Sequence, residues 1–97
     1  MYTDLENDEQ GNTLLRAMAQ ALRKLDDPTA INLATEIEQW LEGRDYHAQG
    51  EYQQAVTAYD VAVSLNDRNP GTHFDRGRAY VGLQDYDAAL DDFEEVI

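Results

Sequence analysis

The chain has no cysteine, which excludes disulfides, thiolate zinc sites and cysteine nucleophiles. The same absence fits a reducing compartment, and a cytoplasmic location is the expectation. Serine occurs once, at Ser64, mid-helix in the apolar pattern and with no histidine near it in sequence, so it offers no activated hydroxyl. Proline occurs twice, at Pro28 and Pro70, and Pro28 and Pro70 both suit the first turn of a helix. No apolar run approaches the ~20 residues a membrane span needs. The start, Met1-Tyr2-Thr3-Asp4-Leu5-Glu6, lacks the basic and apolar regions of a signal peptide. Basic residues number 7 against 20 acidic ones, a net charge of -13, which argues against a sequence-independent grip on nucleic acid or anionic lipid. Neither nucleic acid nor a membrane is expected as a partner.

What remains is one small domain. At 97 residues and 11.0 kDa, a compact chain exposes roughly 5,600 Å² against about 16,000 Å² unfolded, enough burial for one modest core. A hydrophobic fraction of 42% with 9% aromatic argues against disorder despite a mean hydropathy of -0.67. The acidity is of a particular kind: 12 Asp and 8 Glu face 6 Arg and the single Lys24. Excess Asp with almost no Lys resembles proteins of salt-accumulating, halophilic organisms; the other reading is an acidic stretch of an ordinary protein.

Sliding the chain by 34 residues lays its second half on itself without a gap. Gly43 meets Gly77, Arg44 meets Arg78, Tyr46 meets Tyr80, Tyr52 meets Tyr86 and Ala55 meets Ala89. Similar pairs fill in: Trp40 with Phe74, Val56 with Leu90, Tyr59 with Phe93, Ala62 with Val96 and Val63 with Ile97. Period and residue types resemble the tetratricopeptide repeat family, a helix-turn-helix unit of 34 residues, over Glu36 to Ile97. The resemblance implies an all-α fold, an α-α superhelix of about five helices in a right-handed solenoid, and protein–protein binding as its function. Some positions depart from the family pattern. Glu42 and Arg76 precede the helix-A glycines, Gln39 and His73 take the Trp-like place, and Gln84 replaces the mid-repeat glycine.

Local chemistry points the same way. A glycine inside a helix costs ~1 kcal/mol relative to alanine, a cost accepted where a partner helix comes close. Ala55 and Ala89 are the small facing residues, with Tyr46 and Tyr59, or Tyr80 and Phe93, filling the space beside them. One helix is expected from Pro28 to about Ala48, capped by Asp27, and another from near Tyr52 to near Leu65. Asn66-Asp67-Arg68-Asn69-Pro70-Gly71 is a breaker cluster. Upstream, Leu14, Leu15, Met18, Ala21, Leu22 and Leu25 share an arc of roughly 120° on a helix, with Asn12 or Thr13 as its cap. The expected organisation is an acidic flexible tail over 1–11, then an N-terminal helix and the start of the long second helix over 12–35. A first repeat follows over 36–69, and a second, truncated repeat over 70–97. Ending in an apolar stripe at Val96-Ile97 without a polar cap, the chain reads as a fragment, with weak self-association through that open end.

No catalytic constellation emerges, so an enzyme is not expected, and neither is a cofactor or a metal. Asp91, Asp92, Glu94 and Glu95 read as the solvated face of the last helix. His47 and His73 fall near opposite ends of adjacent helices, too far apart to share an ion. The candidate site is the inner face of the stack. Leu33, Ile37, Trp40, Arg44 and His47 form one stripe, offset by roughly 100° from the Gly43/Tyr46 stripe, and Phe74, Arg78 and Val81 follow one repeat later. In the family this stripe lines a concave, peptide-receiving groove, so the resemblance makes Trp40, Arg44, His47, Phe74, Arg78 and Val81 the groove residues. Two arginines flanked by aromatics suit an extended peptide with a carboxylate or acidic side chain. Two other readings stay open. Trp40, Ile37 and Leu33 pack under the N-terminal helix, or Arg44 and Arg78 only balance Glu42, Asp45 and Asp75. The alternative to a peptide-binding module is a structural spacer or self-association segment with no peptide ligand.

Overall fold

The computed structural model describes residues 9–97. They form five helices: α1 (Glu9–Lys24), α2 (Pro28–Ala48), α3 (Tyr52–Leu65), α4 (Pro70–Gly82) and α5 (Tyr86–Val96). Each packs against the next in sequence, as consecutive helices joined by short turns do in an all-α stack. Three helix starts follow from side chains that accept the first free backbone N–H groups. Asp27 takes the N–H of Ala30 at 3.0 Å, and Asn69 that of Gly71 at 2.9 Å. Asp85 takes that of Ala88 at 3.2 Å. Pro28 and Pro70 open α2 and α4, where their missing N–H costs nothing.

The core forms where α2 and α4 meet α3. Ala55, Val56, Tyr59 and Ala79 are buried together, with Trp40, Tyr46 and Tyr80 packed against them. The ring of Tyr59 lies directly on Gly43, and that of Phe93 on Gly77, so closely that a Cβ on either glycine would collide with the ring. The two internal glycines are thus seats for aromatic rings of the partner helix. A third contact of this kind, Tyr52 on Gly82, ties α3 to the end of α4. It has no counterpart in the reading of the sequence.

Two expectations are corrected here. α1 begins at Glu9, so Asn12 and Thr13 lie within the helix and cap nothing; the part of the expected tail over 1–8 lies outside the described residues. The apolar arc of α1 is also largely open. Ala19 is fully buried, but Leu14 is 71% and Leu25 66% exposed. The reason is geometric: α1 packs on α2 along the side of Ala19, which lies past the edge of the arc, so only the neighbouring Leu15 and Leu22 are half-buried and the rest of the arc is left open. Polar pairs hold it there, Arg23 with Glu38 and Thr35, and Arg16 with Asp45.

Candidate peptide-binding groove

The inner face is built by α2 and α4, whose equivalent residues repeat at the same helical phase. On α2 the guanidinium of Arg44 lies over the Trp40 ring, 4.9 Å from its centroid. On α4 the guanidinium of Arg78 lies over the Phe74 ring at 5.9 Å. Both distances are within the range of cation–π attraction. The two pairs are stitched together by the Trp40 indole N–H, which donates to Asp75 Oδ2 at 2.8 Å. Phe74 leans on Phe93, with ring centroids 5.7 Å apart.

His47, Arg78 and Val81 line a cavity of about 270 Å³ together with Tyr52 and Gly82. The His47 imidazole meets the Tyr52 ring edge-on at 5.2 Å. Its pKa is lowered, first by burial and then by the nearby charge of Arg78, so the ring is neutral at neutral pH and adds no charge to the groove. Beneath, the Tyr59 hydroxyl has its pKa raised, first by burial and then by Asp75, while Arg44 and Arg78 oppose the shift. One buried phenol therefore feels both groove arginines.

The charge-balance reading of the arginines does not match the contacts. Asp45 pairs with Arg16 at 3.1 Å, and Asp75 accepts from Trp40. Among the described residues, neither Arg44 nor Arg78 forms an ion pair with a carboxylate. In a chain of net charge -13, two guanidinium groups lie over aromatic rings with their charge uncompensated by direct pairing among the described residues.

Residues 43–84 match the family model described as TPR repeat. A tetratricopeptide repeat and J domain-containing co-chaperone, DNJ1, from Cryptococcus neoformans var. grubii is 36% identical over 50 residues. That match covers 52% of this chain and 10% of the co-chaperone, so the chain spans about a tenth of its curated relative's length. No solved structure matches the chain significantly. Residues 43–84 carry the tetratricopeptide repeat pattern. Such repeats are protein–protein interaction modules without catalytic function of their own, and all five helices here fit an all-α solenoid. No helix among the described residues is long and apolar enough to cross a membrane.

Against that repeat pattern one cluster stands out, and it corrects the reading of the acidic run on α5. Asp92 is not on the solvated face but 3% exposed. It accepts from Arg76 Nε at 2.8 Å and Arg76 Nη2 at 2.7 Å, and lies 3.0 Å from His73 Nδ1. Arg76 also reaches Asp60 on α3 at 2.9 Å. The positions one repeat earlier are Gln39, Glu42 and Ala58. His73, Arg76 and Asp92 thus replace all three together, and the signal was present in the sequence. His73 and Arg76 are both departures from the family pattern within one unit, and Asp92 is the acidic residue that aligns with an alanine.

Proposed function

We propose that the concave face of the α2–α4 layer binds an extended segment of a protein partner bearing an acidic side chain or a terminal carboxylate. The observation that carries this reading is the repeated Arg44–Trp40 and Arg78–Phe74 pair, unsatisfied by any carboxylate among the described residues. Guanidinium binds carboxylate through two parallel hydrogen bonds, a geometry lysine cannot copy. Arginine and aromatic side chains are also the residue types that concentrate binding energy in interfaces. His47 and Val81 extend the surface past Arg78 with a neutral ring and an apolar side chain. Similarity over 50 residues to a tetratricopeptide repeat and J domain-containing co-chaperone supports a protein as partner. The test is titration with acidic peptides, followed through Trp40, the chain's single tryptophan. Dependence of affinity on Arg44 and Arg78 supports the reading.

A spacer or self-associating segment is the second reading, and one observation favours it. Tyr86, Leu90 and Ile97 of the last unit are exposed, whereas the equivalent Tyr52, Val56 and Val63 are buried or half-buried under α4. Sedimentation across a concentration series separates the two readings: a monomer leaves the groove as the working surface, while concentration-dependent association relieved by Leu90→Glu favours the spacer.

A further inference from the structure

α5 carries an apolar stripe, Tyr86, Leu90, Phe93 and Ile97, at the helical spacing i, i+4, i+7, i+11. One repeat earlier the same stripe is Tyr52, Val56, Tyr59 and Val63, and there α4 covers it. Tyr52 lies on Gly82, and Val56 and Tyr59 are buried with Ala79 of α4. The covering helix also brings a cation, because Arg76 donates to Asp60 of α3 at 2.9 Å. On α5 the stripe is open: Tyr86 is 61% and Leu90 56% exposed. Glu94, the residue that aligns with Asp60, forms no ion pair among the described residues. The α3–α4 contact therefore shows what such a face accepts: a helix with an apolar stripe and a cation beside it.

α1 has that composition. Leu14, Met18 and Leu25 are exposed, with the small Ala21 exposed between them, at the same i, i+4, i+7, i+11 spacing. After Glu9 the helix contains no acidic residue. Arg16 and Arg23 each hold a carboxylate of α2, and Lys24 forms no ion pair among the described residues. Charge decides which faces meet. Two α5 faces would set the exposed Asp87, Asp91 and Glu94 against the same three carboxylates, whereas the α1 stripe offers Lys24 to them. Each helix packs on the next, so α1 and α5 stand at the two ends of the described stack. A contact between these faces joins two molecules.

Resting on the self-associating reading above, we infer that copies of this chain associate head to tail, with the α5 stripe of one on the α1 stripe of the next. Such a contact uses two different faces, so each added copy presents a free face again and growth does not stop at a dimer. The open α1 arc then has a partner, and neither face contains Trp40, Arg44, Phe74 or Arg78.

The experiment is sedimentation of the full chain over a concentration series up to the millimolar range. Salt is held at about 0.15 M, where repulsion between the acidic molecules is screened beyond ~8 Å. Wild type should grow past the dimer as concentration rises. Leu14→Glu and Leu90→Glu, both at exposed positions, should each weaken association about tenfold or more, because each places an unpaired carboxylate in the contact. An equimolar mixture of the two variants should form a dimer and nothing larger, since one retains an intact α5 face and the other an intact α1 face. Association that survives in either single variant, or a mixture that stays monomeric, overturns the head-to-tail inference and leaves self-association standing. Association lost in Arg44→Ala/Arg78→Ala assigns the contact to the groove of a second copy and overturns the inference as well. A wild type that stays monomeric throughout overturns both the inference and the self-associating reading.

Discussion

The His73 ring is held against Asp92 with an acceptor at each of its nitrogens: Nδ1 lies 3.0 Å from Asp92 Oδ1, and Nε2 lies 2.8 Å from the Asp67 carbonyl. Only the doubly protonated ring donates at both positions. Burial alone lowers its pKa, but the hydrogen bonds to Asp92 and to the Asp67 carbonyl outweigh burial and the opposing charge of Arg76, and the pKa is raised. A histidine with a raised folded pKa contributes stability that is complete below its ordinary value and is lost as pH rises through the folded value. His47 has the opposite sign, because its lowered pKa favours the fold above the ordinary value. The comparison that isolates His73 is wild type against His73→Gln, which installs the residue found at Gln39 one repeat earlier. The stability advantage of wild type over His73→Gln should shrink as pH rises from about 6, just below the ordinary histidine pKa, into the alkaline range. An advantage constant with pH would contradict the raised pKa, and one that grew with pH would show that the ring is neutral in the fold.

Asp92 should be the most sensitive carboxylate on α5. Removing one partner of a buried ion pair costs roughly 3 kcal/mol or more, because the remaining charge is left without compensation. Asp92→Ala is therefore expected to lose about that much in urea unfolding. Asp91→Ala and Glu94→Ala, on the exposed side of the same helix, should change stability by less than about 0.5 kcal/mol. Equal effects at the three positions would contradict the buried cluster.

The turn between α4 and α5 contains Gln84 at φ 63°, where the equivalent turn between α2 and α3 has Gly50 at φ 78°. Left-handed backbone costs a side-chain-bearing residue about 1–2 kcal/mol. Glycine relieves that strain and gives back about 0.4–1 kcal/mol through the freedom of the unfolded chain. Gln84→Gly should raise stability by up to about 1 kcal/mol, and Gly50→Ala should lower it. Denaturant midpoints of the two variants, moving in opposite directions, are the check.

Salt should stabilise the fold. A net charge of -13 on 97 residues repels itself, and screening shortens that repulsion from ~10 Å at 0.1 M to ~3 Å at 1 M. The melting temperature is expected to rise steadily with KCl up to about 1 M. A flat or falling curve would refute a salt-adapted reading of the composition.

Much of the scaffold was legible because it is written in local chemistry. Asp27-Pro28 and Asn69-Pro70 each supply a cap and a proline-started helix, and the 34-residue period pairs Gly43 with Gly77 and Tyr59 with Phe93. What was not legible depends on contacts between distant residues. How much of the α1 arc is buried is decided by how many helices pack on it, and helical periodicity reports only the arc. The joint replacement of Gln39, Glu42 and Ala58 by His73, Arg76 and Asp92 is visible in the repeat alignment, but that the three meet and bury Asp92, 16 and 19 residues from its partners, is not. At the candidate site the sequence placed Trp40, Arg44, Phe74 and Arg78 on one face. That the arginines sit over the rings while Asp45 and Asp75 are taken by Arg16 and Trp40 required side-chain geometry.

The most direct test of the groove is titration of the Arg44→Ala/Arg78→Ala variant with a peptide that the wild type binds, read through Trp40. Each arginine removed should weaken binding by about 1.5–3 kcal/mol, the range for hydrogen bonds to charged groups. The melting temperature should change little, since neither side chain is paired with a carboxylate among the described residues. Weakened binding at unchanged stability is the result the groove predicts; unchanged affinity in the double variant would contradict it and place the binding surface elsewhere.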